Sequence, residues 1–151
     1  MTSRSAQLGT FVIARSYDAP PERVFAAWAS KEAKSRWFPA NLDGTPGYEL
    51  DFRVDGREVN VGGPPGGTVY TYIAVYQEIV PNERIVYTYV MDADDVRISV
   101  SVATVEFAPK GPGTTLTLSE QGVFLDGADT PDIREGGTKA FLENLGRSLS
   151  D

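Results

Sequence analysis

At 151 residues the chain suits one domain with a real core, and 41% hydrophobic and 23% charged residues are ordinary for a soluble globular protein. A net charge of −7 without a basic block argues against nucleic acid or anionic membrane as partners. The chain has no cysteine and no histidine, so disulfides, thiolate sites, the commonest metal ligand and general base, and every Ser-His or Cys-His pair are excluded. Any chemistry would rest on carboxylates, Lys, Arg, Tyr or a bound cofactor.

The opening MTSRSAQLG carries no apolar h-region. It predicts no signal peptide and a short flexible tail over residues 1–9, with a single domain over 10–151. No apolar run reaches the ~18 residues of a transmembrane helix. Thr10 to Tyr17 alternates Phe11, Ile13, Arg15 and Tyr17 against Val12, Ala14 and Ser16, a strand pattern stopped by Asp18-Ala19-Pro20-Pro21. The double proline and Glu22 start a helix with Val24, Phe25, Ala27 and Trp28 on its apolar face, ending near Ala29. Ser30 caps a second short helix, Lys31 to Trp37, which Pro39 breaks.

Asn41 to Gly47 reads as a loop, Tyr48 to Val54 as a strand, Asp55-Gly56 as a turn and Arg57 to Val61 as the returning strand. Gly62 to Gly67, GGPPGG, is a flexible connection. Thr68 to Val80 and Arg84 to Met91 read as strands around a Pro81-Asn82 turn, and Asp92 to Asp95 as an acidic turn. In the strand Val96 to Phe107, Val96, Ile98, Val100 and Val102 share one parity and Val105 and Phe107 the other, which predicts a β-bulge near Ala103. Thr114 to Gln121 is the last strand, with Leu116, Leu118 and Glu120 on one face, and Gly122 to Asp129 a loop. Thr130 then caps a helix that starts at Pro131 and shows Thr138, Phe141, Leu142, Leu145 and Leu149 on one face. Gly136-Gly137 within it costs roughly 1–2 kcal/mol relative to alanine. Close approach of sheet or ligand would offset that cost; a local break in the helix is the alternative.

One strand, two short helices, six strands and one long helix form an antiparallel, mostly meandering sheet curved around the helix. This order resembles the α+β helix-grip fold of the START-like (SRPBCC, birch-pollen-allergen-like) superfamily. Several segments resemble bacterial homologues of the activator of the heat-shock-protein-90 ATPase. They are Ala19-Pro20 through Val24 and Trp28; Arg36-Trp37-Phe38; Asp51, Arg53 and Gly56; Glu78-Ile79-Val80-Pro81 with Glu83-Arg84; Gly113-Thr114 to Leu118; Gly122; and Gly137 with Leu142, Leu145 and Leu149. The resemblance spans roughly residues 10–149. It implies a cytoplasmic domain with an apolar cavity between sheet and helix, in a superfamily that includes lipid and hormone carriers, polyketide cyclases and co-chaperones. Where that family often has Trp after the helix glycine, this chain has Thr138, which implies a roomier cavity; where it often has His near the end of the last strand, this chain has Glu120.

The residues expected to meet a ligand are Arg15, Tyr17, Trp37, Phe38, Tyr72, Tyr87, Tyr89, Leu118, Glu120, Thr138, Phe141, Leu142 and Leu145. Arg15 and Glu120 either pair with each other, wait for a polar ligand, or lie solvated at the sheet rim. Trp37, Phe38 and Pro39 form a lip over the cavity or pack under a loop. Tyr70, Tyr72, Tyr76, Tyr87 and Tyr89 offer apolar bodies with polar tips, and about half are expected to be plain sheet surface.

No cofactor and no metal is expected. The Asp92 to Asp95 turn lacks the spacing, glycine and terminal Glu of an EF-hand loop, and no Lys-Ser/Thr and no helix follows the GGPPGG segment. Three functions are open: a carrier of a small apolar or aromatic molecule, a co-chaperone-like regulator of a chaperone ATPase, or a cyclase- or hydrolase-type enzyme using Glu120 as acid or base with Arg15 steering an oxyanion. The carrier reading is favoured. Monomer and homodimer both remain open.

Overall fold

The computed structural model describes residues 4–38 and 47–150. Pro39 and most of the loop expected over Asn41 to Gly47 lie outside them. The elements run β1 (Ala6–Tyr17), α1 (Pro21–Ala26), α2 (Lys31–Lys34), β2 (Tyr48–Leu50), β3 (Arg57–Gly62), β4 (Tyr70–Val80), β5 (Arg84–Ala93), β6 (Val96–Lys110), β7 (Gly113–Leu125) and α3 (Pro131–Leu149). All strands join one antiparallel sheet in the order β1-β7-β6-β5-β4-β3-β2. The first strand closes beside the last, so the sheet curls and α3 lies in its concave side. This is the α+β helix-grip architecture.

Local chemistry fixes the corners. Asn82, Asp94 and Gly111 take positive φ (65°, 51° and 57°) in the turns joining β4 to β5, β5 to β6 and β6 to β7, where Asn, Asp and Gly are the residues that tolerate it. The acidic turn is tied down: Asp94 Oδ1 accepts from the Val69 amide at 3.0 Å, and Asp92 pairs with Arg97 at 2.6 Å. Ser30 and Thr130 cap α2 and α3 by accepting from the amides of Ala33 and Ile133, both at 3.2 Å. The start of α3 rests on β1, where a Cβ at Gly9 would lie 2.4 Å from Pro131.

The structure moves several expected boundaries. β1 begins at Ala6, so Ala6 to Gly9 of the expected tail pair with residues 122–125 of β7. β7 runs on to Leu125 because β1 and β6 flank that extension from both sides. β2 stops at Leu50; residues 51–56 turn instead, with Asp55 at φ 68° and no room for a Cβ at Gly56, which would sit 2.1 Å from the Asp51 carbonyl oxygen.

The bulge expected near Ala103 lies elsewhere. β6 keeps one register with β7 from Ser99 to Lys110, and its shift against β5 falls between Met91 and Asp92, leaving Ile98 without a β5 partner. The inward row is Ser99, Ser101, Ala103, Val105 and Phe107, whereas Val100 is 45% exposed. The valines at 100 and 102 were a misleading parity signal: they ride the convex face, and serines face the concavity. A second shift at Gln77 in β4 adds curvature.

The core joins α1, α2 and the sheet. Phe25 meets Phe52 and Phe107 edge-on at 5.7 and 5.5 Å, and Trp28 meets Trp37 at 4.6 Å. Helix α3 is continuous through Gly136-Gly137, and beyond the helix's own adjoining backbone and the flanking residues nothing lies within 4 Å of a Cβ built at either. Neither a helix break nor close approach of the sheet accounts for this pair.

Candidate functional site

Between the concave sheet and α3 lies a cavity of about 720 Å³. Sheet alternation sends Tyr72, Tyr87, Tyr89, Leu118 and Glu120 into it from three strands, and helical spacing adds Arg134, Thr138, Phe141 and Leu142 from α3. Trp37 and Phe38 close it from the α2 side, with Trp37 Nε1 donating to the Ala27 carbonyl at 2.9 Å. Gly62 to Pro65 and Ile133 flank the solvent side.

Two charged clusters are buried in these walls. In the first, Lys34 Nζ donates to Glu58 Oε1 at 2.8 Å, and the same carboxylate accepts from Tyr48 Oη at 2.6 Å and Tyr76 Oη at 2.9 Å. Lys34 is 1% exposed and Glu58 0%. The ammonium lies 4.8 Å from the Phe38 ring centre, 5.2 Å from Trp28, 5.8 Å from Trp37 and 5.9 Å from Tyr87. Burial pushes the Lys34 pKa down, opposed by its charge and hydrogen-bond contacts with Glu58. Burial, reinforced by the Glu58 charge, pushes the Tyr48, Tyr72 and Tyr76 phenols up, so they stay protonated.

The second cluster spans β5, β6, β7 and α3. Tyr89 Oη donates to Glu120 Oε2 at 2.6 Å and accepts from Arg134 Nη1 at 2.8 Å. Arg134 Nη2 donates to Ser99 Oγ at 2.8 Å and to Asp129 Oδ2 at 2.7 Å. Arg134 and Glu120 stand 3.9 Å apart. The Ser101 hydroxyl lies near the same carboxylate without a hydrogen bond of normal geometry. Burial raises the Glu120 pKa, while Tyr89, Arg134 and Ser101 pull it back. With Glu120 ionised, Arg134, Glu120 and Asp129 sum to −1; with Glu120 protonated they sum to zero.

The expected site residues divide. Trp37, Phe38, Tyr72, Tyr87, Tyr89, Leu118, Glu120, Thr138, Phe141 and Leu142 line the cavity. Leu145 is fully buried in the core outside it. Arg15 and Tyr17 border a separate surface groove with Glu143 and Arg147. Arg15 does not pair with Glu120: its Nε contacts Glu143 at 3.3 Å, and Glu120 takes Arg134 instead. The register explains the correction, since Phe11 of β1 stands opposite Glu120 while Arg15 stands opposite Leu116. Tyr17 donates to the Leu142 carbonyl at 2.8 Å and so anchors α3. Among the five clustered tyrosines, Tyr72, Tyr76, Tyr87 and Tyr89 are buried, and Tyr70, 45% exposed, borders the cavity.

Lys34, Glu58 and Arg134 were not anticipated. Arg134 precedes Thr138 by four residues and shares its helix face, a readable signal. Glu58 and Asn60 form the polar parity of β3, which reads as outward when Val59 and Val61 supply the apolar one. Lys34 sits in KEAK, a segment that reads as a solvated helix face.

Comparison with known proteins agrees with this architecture. A family model described as Activator of Hsp90 ATPase homolog 1-like protein matches residues 18–150. The chain belongs to this family. Among solved structures, an uncharacterised protein from Rhizobium leguminosarum is 43% identical over 99% of both chains, with a TM-score of 0.91. A protein from Rhizobium loti is 42% identical over 95% of this chain and 99% of its own, with a TM-score of 0.89. One from Chromobacterium violaceum is 26% identical over 95% and 98%, with a TM-score of 0.77. No curated protein matches the chain. Among the described residues, no helix of this family member is long and apolar enough to cross a membrane.

Proposed function

We propose that the protein binds a small apolar or aromatic molecule in the cavity between its sheet and α3. One observation carries the reading: about 720 Å³ of space walled by aromatic side chains, with two buried charged clusters at its edge. Ligand sites are typically ~300–1,000 Å³, mostly apolar, with a few convergent polar groups. A protein with no ligand to hold gains stability by filling such a space. In the cell it acts as a cytoplasmic carrier or sensor of that molecule.

Native mass spectrometry of the purified protein, followed by a thermal-shift screen with fatty acids, flavonoids and polyketide-like aromatics, tests the reading. A ligand at a hundredfold excess over Kd stabilises the native state by ~2.7 kcal/mol. A co-purified mass or a clear shift supports the carrier; bare protein with no shift from any class removes it. The family match favours a second reading, regulation of a chaperone ATPase. It predicts that the protein binds a bacterial chaperone and changes its ATPase rate, and no effect in that assay ends it.

A further inference from the structure

We propose that Lys34 captures apolar aldehydes as a Schiff base at the buried end of the cavity. The inference rests on the ligand-binding reading above and adds a covalent step to it. Three features carry it: the lysine lines the cavity, its amine is held among aromatic rings, and a carboxylate stands ready to exchange its proton.

Only a neutral lysine attacks a carbonyl. Burial favours the neutral amine, and the proton it gives up has an acceptor in Glu58 Oε1, 2.8 Å away. The nitrogen lone pair then forms a bond to the carbonyl carbon as the carbon–oxygen π bond opens. The oxygen takes one proton from the nitrogen and one from Glu58 and departs as water while the carbon–nitrogen double bond forms. The balance is R–CHO plus Lys34–NH3⁺ giving R–CH=NH⁺–Lys34 plus water, with no oxidant or reductant.

The electrostatics accommodate the product. An iminium replaces the ammonium opposite Glu58, so the pair stays neutral, and the rings around Nζ accept either cation. Tyr48 and Tyr76 hold the carboxylate in place throughout. The same rings limit water at the nitrogen and so slow hydrolysis of the imine. They also set the ligand class: Phe38, Trp28, Trp37 and Tyr87 crowd the nitrogen, so the carbonyl carbon must be unhindered, as in an aldehyde, with its apolar body in the cavity.

The probe is 2-naphthaldehyde with sodium cyanoborohydride, which fixes an imine as a secondary amine. Intact mass and peptide mapping then locate the adduct. The expected result at neutral pH, apart from any label on the α-amino group, is an adduct on Lys34 ahead of the exposed Lys31, Lys110 and Lys139. Lys34→Arg, which keeps a cation beside Glu58 but forms no imine, loses that adduct. 2-Naphthalenemethanol, of matching shape without a carbonyl, reports non-covalent binding by thermal shift. If the alcohol raises Tm but no label reaches Lys34, the Schiff-base inference fails and the carrier reading stands. If neither probe binds, both fail for this ligand class. Label confined to the exposed lysines or the α-amino group also overturns the inference.

Discussion

A double-mutant cycle on Lys34 and Glu58 isolates what the buried pair contributes. In the folded protein the Glu58 carboxylate accepts from Lys34, Tyr48 and Tyr76 at 2.8, 2.6 and 2.9 Å, and neither charged residue is more than 1% exposed. Lys34→Met keeps a chain of similar length but leaves the carboxylate with two tyrosine donors and no cation. Glu58→Gln leaves the ammonium among four rings with no anion. Breaking a buried pair from one side costs about 3–5 kcal/mol. The aromatic box returns on the order of 1–2 kcal/mol to a lone Lys34, so the glutamine variant falls at the low end of that range. We therefore expect losses of about 4 kcal/mol for Lys34→Met and about 3 kcal/mol for Glu58→Gln. The double variant removes both charges together and should lose only about 2–3 kcal/mol, a coupling near 4–5 kcal/mol. Urea unfolding followed by tryptophan fluorescence measures this, since Trp28 and Trp37 flank Lys34. At about 2–4 °C per kcal/mol, Lys34→Met lowers Tm by roughly 8–16 °C. Losses that add within about 0.5 kcal/mol would refute the reasoning, because uncoupled residues cannot be an ion pair.

Glu120→Gln tests the second cluster through pH. The folded pKa of Glu120 is raised, so the native state binds more protons than the unfolded one between the ordinary value of 4.5 and the folded value. That contribution is fully present below 4.5 and is lost as pH rises through the folded pKa. Wild type should therefore gain stability relative to Glu120→Gln as pH falls from 7 towards 4.5; a difference that does not move with pH would contradict the raised pKa. The adjacent helix glycines give a paired comparison. Gly136→Ala and Gly137→Ala should each stabilise α3 by about 0.5–1 kcal/mol, because neither Cβ meets anything within 4 Å beyond its own turn of helix. Gly137→Leu should keep that gain yet weaken ligand binding, because Gly137 lines the cavity and Gly136 does not. Equal affinity in Gly137→Leu and Gly136→Leu, by titration with any ligand from the thermal-shift screen, would place the ligand elsewhere.

Apolar periodicity made the fold legible, and buried polarity obscured the site. Alternation placed Phe11, Ile13, Leu116, Leu118, Tyr87 and Tyr89 inside, because those strands carry their hydrophobic residues on the concave face. The same rule failed on β6 and β3. There the convex face carries Val100, Val102, Val59 and Val61, while Ser99, Ser101, Glu58 and Asn60 turn inward. A parity rule assumes that only one face of a sheet is apolar, and this sheet is apolar outside where its cavity wall is polar inside. Tertiary pairing was beyond local reading for a related reason. Arg15 and Glu120 sit on neighbouring strands with matching parity, but the β1–β7 register sets them four residues out of step, and Arg134 reaches Glu120 from a helix fourteen residues downstream.

Burying charges is costly, and that bears on why the two clusters persist. Replacing a buried ion pair by well-packed apolar residues is often neutral or stabilising by about 1–4 kcal/mol. Glu120→Met with Arg134→Met tests this, since both side chains are buried; Asp129 loses Arg134 but still accepts from the Thr130 amide at 2.7 Å, beside the positive end of α3. If the cluster serves ligand choice, the double variant keeps a Tm within a few degrees of wild type. Its affinity then moves from ligands carrying a hydroxyl or carbonyl towards purely apolar ones such as naphthalene, because the guanidinium donors and the Glu120 acceptor on that wall are gone. If the cluster is a strut that orders α3 against β5 and β6, Tm falls by about 10 °C or more and affinity for both ligand kinds falls together. The aromatic walls would bind apolar rings in either case, so the measured ratio between polar and apolar ligands, more than affinity itself, separates a wall that selects from a wall that only supports.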